Sequence, residues 1–394
     1  MKIMFAADMS FNYYDEFKGK EHAYKTMSEI AALFRQADYS MINLENVLGN
    51  KEDGYPIIKS GPNLISEDCF IEYIHALKPN IVGLANNHTK DYGEDIMYHT
   101  MKMLSESGYT YIGAGRNIEE AYRPALLSKN GIDVAIIAVC ENEFGTASED
   151  VSGTAGYRLG RVTKAIREAA KMGMKPVIYF HGGNETYPFP SPCKVELYRH
   201  FIDIGAEAVI AMHTHCPQGY EYYNDKPIVY SMGNFFFPKQ VSGRKKSWFY
   251  GYISELEFEA NGVQLHIYPY KFDLDSVTLL RGTEKDEFMK YMECLCRPIK
   301  NEKEIQELFD SWCSVSCYMK GLAEYNVEFF TDGFTEEIKG IKNILGCEAH
   351  NELVKNAFLM IFESRVEEAK KGIERIRMLQ DMEYTSCYEN EGSV

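Results

Sequence analysis

Five short apolar runs in this chain each stop at a residue that can hold a metal ion or move a proton. Residues 2–7 run into Asp8, 39–44 into Glu45-Asn46, 80–85 into Asn86-Asn87-His88, 176–180 into His181, and 208–212 into His213-Thr214-His215. Runs this short and this apolar predict strands covered on both faces. Helical spacing fills the gaps. Residues 21–36 place Ala23, Met27, Ile30, Ala31 and Phe34 on one stripe, and 67–77, 94–107, 163–171 and 194–203 also read as helices. Alternating strands and helices predict an α/β sheet of parallel strands, which binds ligands along its carboxyl edge. Each residue taken singly has an ordinary reading. Asn86 or Asn87 would cap a turn, Asp91 would support the next helix, Asp8 would be a helix cap, and a lone His181 or His213 would be a satisfied or surface histidine. Five such residues, all at the same end of their strands, are hard to obtain from packing alone.

The rest of the first 275 residues fits the same architecture. Residues 51–62, with Gly54, Pro56, Gly61 and Pro62, read as a loop, 110–112 as a strand, and 228–230 as a strand running into Ser231-Met232-Gly233-Asn234. Asn130-Gly131 joins 125–128 to 132–139 as a hairpin, and Ala260-Asn261-Gly262 joins 250–259 to 263–270. From about residue 283 the pattern turns helical, over 302–320, 335–345 and 352–382, with a loose tail at 391–394. The expected organisation is an α/β domain over 1–275 and a helical appendage over 276–394, with no internal repeat.

Charge and cysteine usage narrow the partners. A net charge of -16 argues against a nucleic-acid partner and disfavours an anionic membrane surface, but it suits a small ligand or divalent cations. The apolar start is short and broken by Asp8, and no run reaches the ~18 residues of a membrane span, so the expected location is the cytoplasm. The ten cysteines include no C-x-x-C pair and read as reduced thiols. Cys294/Cys296 and Cys313/Cys317 could supply metal ligands, but the helical spacing of Cys313 and Cys317 reads as core.

The residue types at the strand ends suit one chemistry. Imidazole nitrogens with carboxylate and amide oxygens bind borderline divalent ions such as Mn, Fe or Zn. A carboxylate can bridge two ions, and two ions ~3.5–4 Å apart clamp the attacking and leaving oxygens of a displacement at phosphorus. His88 adjoins Asn87 and has Asp91 close enough to fix its tautomer, which makes it a candidate general acid. Glu185, in a glycine-loosened loop after His181, and Asn234 after Gly233 could orient substrate or water. The stiff aromatic loop 187–192 could wall a pocket, and the appendage could cover the active-site edge or form a dimer.

Taken in order, a set of short motifs carries a resemblance. They are Ala7-Asp8, Asn43-Leu44-Glu45, Ala85-Asn86-Asn87-His88-x-x-Asp91-x-Gly93, Gly113-Ala114-Gly115, His181-Gly182-x-x-Glu185, Gly205-Ala206, His213-x-His215 and Tyr230-Ser231-Met232-Gly233-Asn234-Phe235. Over roughly residues 1–240 the chain resembles the capsule synthesis CapA family, implicated in poly-γ-glutamate capsule assembly and distantly related to the calcineurin-like metallophosphoesterases. The resemblance implies a four-layer α/β/β/α sandwich. It implies one ion held by Glu45, Asn87, His181 and His213, and a second held by Asp8, the bridging Glu45 and His215, with His88 as the catalytic acid. Asp8-Met9-Ser10 stands where phosphoesterases carry Asp-x-His, so one or two divalent ions are expected. Gly182 and Met212 replace a family Trp and His, and Ala6 and Ala211 replace glycines.

The implied function is a metal-dependent, phosphoesterase-type hydrolase in poly-γ-glutamate or capsule biosynthesis. The alternatives are a non-catalytic polymer-binding or assembly component, and an intracellular phosphodiesterase acting on a small metabolite. If His181, His213 and His215 bind the ions, metal affinity is expected to fall below about pH 6.5.

Overall fold

The strand Lys2–Met9 buries seven of its eight residues, as a run with no polar alternation must. The computed structural model describes residues 1–12, 14, 16–238, 244–324 and 336–383, and in it this strand is central to the larger of the two main sheets. That sheet has eight strands. Lys2–Met9, Tyr39–Leu44, Ile81–Gly83 and Thr110–Ile112 run parallel in that order. On the other side of Lys2–Met9 lie Tyr250–Glu259, Gly262–Phe272 and Val277–Leu279, all antiparallel to their neighbours. Asn234–Phe236 pairs in parallel with the end of Lys2–Met9, placing Asn234 opposite Asp8.

The second sheet has six strands. Ile132–Cys140, Lys175–His181, Ala208–Met212 and Lys226–Val229 are parallel, and Ala125–Lys129 and Tyr220–Tyr223 close its edges antiparallel. Asn130 (φ +53°) and Gly131 (φ +77°) supply the left-handed backbone that the two-residue hairpin between Ala125–Lys129 and Ile132–Cys140 requires.

The sheets pack face to face. The Tyr179 hydroxyl, from the second sheet, donates to the Ala6 carbonyl of the first at 2.9 Å. A Cβ on Gly83 would lie 3.0 Å from the Tyr179 ring, so a side chain there would press on that ring. Leu159–Lys171 and Pro192–Asp203 cover the outer face of the six-stranded sheet, while Ser28–Phe34 and Gly93–Glu106 lie against the eight-stranded one. The result is the α/β/β/α layering that the resemblance implied.

Local departures from the sequence reading have local causes. The helix expected over 21–36 divides at Met27 into Lys20–Thr26 and Ser28–Phe34. The helix expected over 352–382 ends at Phe362, where Ser364 adopts φ +58° and the Arg365 N–H bonds back to Met360. That is the left-handed termination a periodicity pattern does not report. Shorter helices follow at Val366–Ala369 and Ile373–Gln380. The helix expected over 302–320 divides into Glu302–Cys313 and Cys317–Glu324, so Cys313 is buried but Cys317 is exposed, contrary to its helical spacing. The start of the helix expected at 335 and the tail at 391–394 lie outside the described residues. Among the described residues, no helix is long and apolar enough to cross a membrane.

The helices after Gly282 pack on the loop that follows His181. Tyr187 and Phe189, expected to wall a pocket, are instead completely buried. Tyr187 stacks on Trp312 at 5.2 Å, and Gln380 Nε2 donates to the Thr186 carbonyl at 2.8 Å. The aromatic loop is thus the anchor of the helical region, because the large rings bury more surface against those helices than they could against solvent.

Candidate metal centre

All five strand ends meet at one edge. Glu45 N–H donates to the Met9 carbonyl at 2.8 Å, holding the end of Tyr39–Leu44 beside the end of Lys2–Met9. Asp8 is completely buried and its carboxylate is fixed from two sides. Asn43 Nδ2 donates to Oδ1 at 2.8 Å, and the backbone N–H of His213 donates to Oδ2 at 2.9 Å. His181, the last residue of its strand, places Nε2 3.2 Å from Glu45 Oε1 and 3.5 Å from Asp8 Oδ1. His213 and His215 take positive φ angles of +103° and +55°. Non-glycine residues adopt that backbone at a cost of roughly 1–3 kcal/mol, and such strain gathers at functional sites.

Two overlapping groups result. Single ligand-type atoms of Glu45, His181 and His213 all lie within 4.8 Å of one another, as do those of Asp8, Glu45 and His215. Glu45 belongs to both, which is what a bridging carboxylate requires. Hydrogen bonding shows that the pocket fits a cation. Both oxygens of Glu45, Asn87 Oδ1, His181 Nε2 and His213 Nδ1 are buried and make no hydrogen bond. Glu45 Oε1 and His181 Nε2 face each other as an ion pair at 3.2 Å, but Glu45 Oε2, Asn87 Oδ1 and His213 Nδ1 have no such partner. An orphaned buried polar atom costs about 1–3 kcal/mol, which a bound cation would offset. Carboxylate oxygens and imidazole nitrogens gathered this closely suit a divalent ion of the Mn, Fe or Zn type.

The surrounding residues aim these atoms. His215 Nδ1 meets Asn234 Oδ1 at 2.8 Å, while Asn234 Nδ2 donates to the carbonyls of His215 and Trp248 at 3.3 and 3.1 Å. The amide is therefore turned with its oxygen toward the ring, so Nδ1 carries the proton and Nε2 is left as the ligating atom. Asn234 was expected to contact substrate. It is completely buried with its amide committed behind His215, and its place in the strand beside Asp8 leaves it no path to a substrate.

Asn86 is a brace, its Nδ2 donating to Asn43 Oδ1 (3.1 Å) and the Leu44 carbonyl (2.9 Å). The residue beside it, Asn87, directs Nδ2 to Glu143 Oε2 at 2.7 Å. His88 Nδ1 lies 2.6 Å from Asp91 Oδ2, as the sequence anticipated. Glu185 is solvent-exposed at a recess of about 300 Å³ that Asn184, Trp312, Tyr318 and His350 also line.

Charge completes the picture. Burial opposes protonation of His181, but Asp8 and Glu45 outweigh it and push the imidazole up to about 10. Burial likewise opposes ionisation of Asp8, yet His181, His215 and Asn43 hold it below its ordinary value. Burial first, then the neighbouring His181 and His215, drive His213 well below 6.5, so it is neutral and ready to ligate. Without metal, then, a protonated His181 sits between two carboxylates. Its folded value lies above 6.5, so the stability it contributes is fully present below pH 6.5 and is lost as pH rises toward 10. Proton competition for the site therefore extends far above the pH 6.5 that unperturbed histidines suggest. Binding of divalent metal at pH 7.5 should release about one proton per protein molecule, the one carried by His181. Calorimetry in two buffers of different ionisation heat measures this, and a heat independent of buffer would contradict it.

Sequence reasoning missed three contributors. Lys59, in the 51–62 loop, puts Nζ 2.5 Å from Asp91 Oδ1 and 3.1 Å from His88 Nδ1. Nothing in its local sequence marks it. Glu141 and Glu143 follow the strand Ile132–Cys140, making this a sixth strand with acids at its carboxyl end. The same rule that found the other five would have found them. Glu141 pairs with the buried Lys194 at 2.5 Å and accepts the Gly183 N–H at 3.0 Å. A Cβ on Gly182 would fall 2.6 Å from Glu141 Cγ, so a side chain there would have to displace the paired Glu141. Burial, and then Glu185, push the Glu143 carboxyl up to about 8.

Residues 2–239 match the model of the family described as bacterial capsule synthesis protein PGA_cap. The chain belongs to that family. Relatives include the capsule biosynthesis protein CapA of Bacillus anthracis, 26% identical over 225 residues. That alignment covers 55% of this chain and 55% of the relative, so the chain spans about half the length of that protein. The PGA biosynthesis protein CapA of Bacillus subtilis (strain 168) is 24% identical over 71% of this chain and 76% of its own. Among solved structures, TT1561 of Thermus thermophilus aligns with 67% of this chain and 97% of its own, at 10% identity and a TM-score of 0.34. The layer arrangement of this PGA_cap protein stands on its own strand pairing and needs no support from a likeness that small.

Proposed function

We propose that this PGA_cap-family protein is a metal-dependent hydrolase of the phosphoesterase type that serves the making or trimming of poly-γ-glutamate or a related polymer. The observation that carries the reading is the set of buried, unpartnered ligand atoms gathered around Glu45. The polymer comes from the family and from the names of the two Bacillus relatives. Glu45, Asn87, His181 and His213 would hold one ion, and Asp8, Glu45 and His215 a second. When bound, such ions supply Lewis acidity and an activated water.

The chain's own groups then divide the labour. His88, its Nδ1 held by Asp91, presents Nε2 to give a proton to a leaving oxygen. Asn234 orients His215. Glu185, exposed at a recess four residues along the chain from His181, would meet the substrate. We assign this chemistry to residues 1–275 and treat 276–394 as an appendage that braces the loop after His181.

The test is metal content together with hydrolysis of a generic phosphodiester, on the wild type and on His88→Ala. The variant should keep its metal and lose roughly 10²–10⁴-fold in turnover. A wild-type protein that neither contains nor takes up Mn, Fe or Zn would overturn the proposal.

One observation favours a second reading. The first motif offers Ser10, whose buried hydroxyl has no hydrogen bond, where phosphoesterases place a histidine. A hydroxyl is a weak ligand at neutral pH, so a centre with one structural ion in a polymer-binding or assembly component is the competing assignment. Specific metal binding, with polymer binding and no turnover on any phosphodiester, would establish it.

A further inference from the structure

Asn87 differs from its neighbours at the centre in having two unlike atoms to present. A half-turn about χ2 would replace the ligating oxygen with an NH₂ group, which cannot bind a cation. In the structure Nδ2 donates to Glu143 Oε2 at 2.7 Å, and Oδ1 is left buried and unpartnered. An ionised carboxylate can only accept, so an ionised Glu143 selects this amide orientation.

Glu143 is itself held by its chain neighbours. Glu141 N–H donates to the His181 carbonyl at 3.0 Å. Asn142 N–H donates to Glu348 Oε2 at 2.9 Å, and Asn142 Nδ2 donates to Glu348 Oε1 at 2.5 Å and to the Tyr157 carbonyl at 2.6 Å. The segment 141–143 is therefore pinned to the ligand strand on one side and to the helical appendage on the other.

We propose that Glu143 is a positioning residue of the metal centre, fixing the Asn87 amide with its oxygen toward the ions, and that Glu348 of the appendage holds it in place. The proposal rests on Asn87 being a ligand, as in the function above.

Mn²⁺ titration of the full-length protein, read by the electron paramagnetic resonance of free Mn²⁺, tests it. Glu143→Leu should weaken Mn²⁺ binding by about 10–100-fold, the usual effect of removing a ligand's hydrogen-bond partner. Glu143→Gln keeps an acceptor oxygen and should bind nearly as the wild type does. Wild-type affinity in Glu143→Leu would overturn the proposal. So would equal loss in both variants, which would show that charge and not the hydrogen bond matters. Should Glu143→Leu fail to fold, the pair Asn87→Asp and Asn87→Asp/Glu143→Gln replaces it. The single change sets two carboxyl groups face to face and should weaken binding. The double change restores a donor and an acceptor with reversed polarity and should recover it, and a double variant no better than the single would refute the pairing. A wild type that binds no Mn²⁺ would sink the metal reading itself, whereas a wild type and a Glu143→Leu variant that bind equally would sink only this inference.

Discussion

A His181→Ala/His213→Ala variant should lose its metal, with affinity down by more than the ~100-fold that loss of a mere supporting contact can cost. Both imidazoles belong to the group built on Glu45, with His181 Nε2 3.2 Å from its Oε1 and His213 Nδ1 buried with no hydrogen bond. The remaining group, Asp8, Glu45 and His215, has three ligands and loses the neighbouring ion that shares Glu45, so its own hold should weaken as well. Elemental analysis after gel filtration, beside calorimetric titration with Mn²⁺ and Zn²⁺, reads the outcome. A variant that keeps the wild-type metal content would place the ion elsewhere. The substitution also removes the cation lodged between Asp8 and Glu45 in the metal-free protein. The metal-free variant should therefore unfold more readily than the metal-free wild type below pH 6.5, where His181 contributes fully, and the difference should shrink toward pH 10.

The second large effect concerns stability. Lys59 and Asp91 form an ion pair whose side chains are 1% and 0% exposed. Removing one partner of a buried pair leaves a charge with neither water nor counter-ion, at a cost of roughly 3–5 kcal/mol. Asp91 Oδ2 keeps the Leu64 N–H at 2.6 Å and His88 Nδ1 at 2.6 Å. Lys59→Met should therefore fall near the lower end, about 3 kcal/mol less stable in urea unfolding at pH 7. A loss below about 1 kcal/mol, the size of a surface pair, would show that the other two donors suffice. The same variant should reduce any His88-dependent turnover, because the carboxylate that orients His88 is the one Lys59 anchors.

Much of the centre was legible because it is built at strand ends. An apolar run declares a buried strand, the polar residue that stops it must sit at the sheet's edge, and parallel strands bring those edges together. Asp8, Glu45, Asn87, His181, His213 and His215 all announce themselves this way. Glu143 obeys the same rule, but the Asn130-Gly131 turn marks its strand in the sequence chiefly as half of a hairpin. Lys59 could not be found so. It lies in a loop whose path is set by bonds such as Ile57 N–H to the Asp91 carbonyl at 2.9 Å, a contact between segments 34 residues apart.

The sequence by itself determined the alternation of strands and helices, the edge on which chemistry would gather, and the ligand types available there, since these follow from apolar periodicity and from where it stops. Only the tertiary structure decided which way each ligand points. It turned Asn234 into a support for His215, spent the aromatic loop on anchoring the helices, and tied Asn87 to Glu143. Orientation depends on hydrogen bonds between residues far apart in the chain, such as Asn142 with Glu348, 206 positions away. Periodicity within one segment carries no information about such pairs, whereas burial at a shared edge leaves them no other partners.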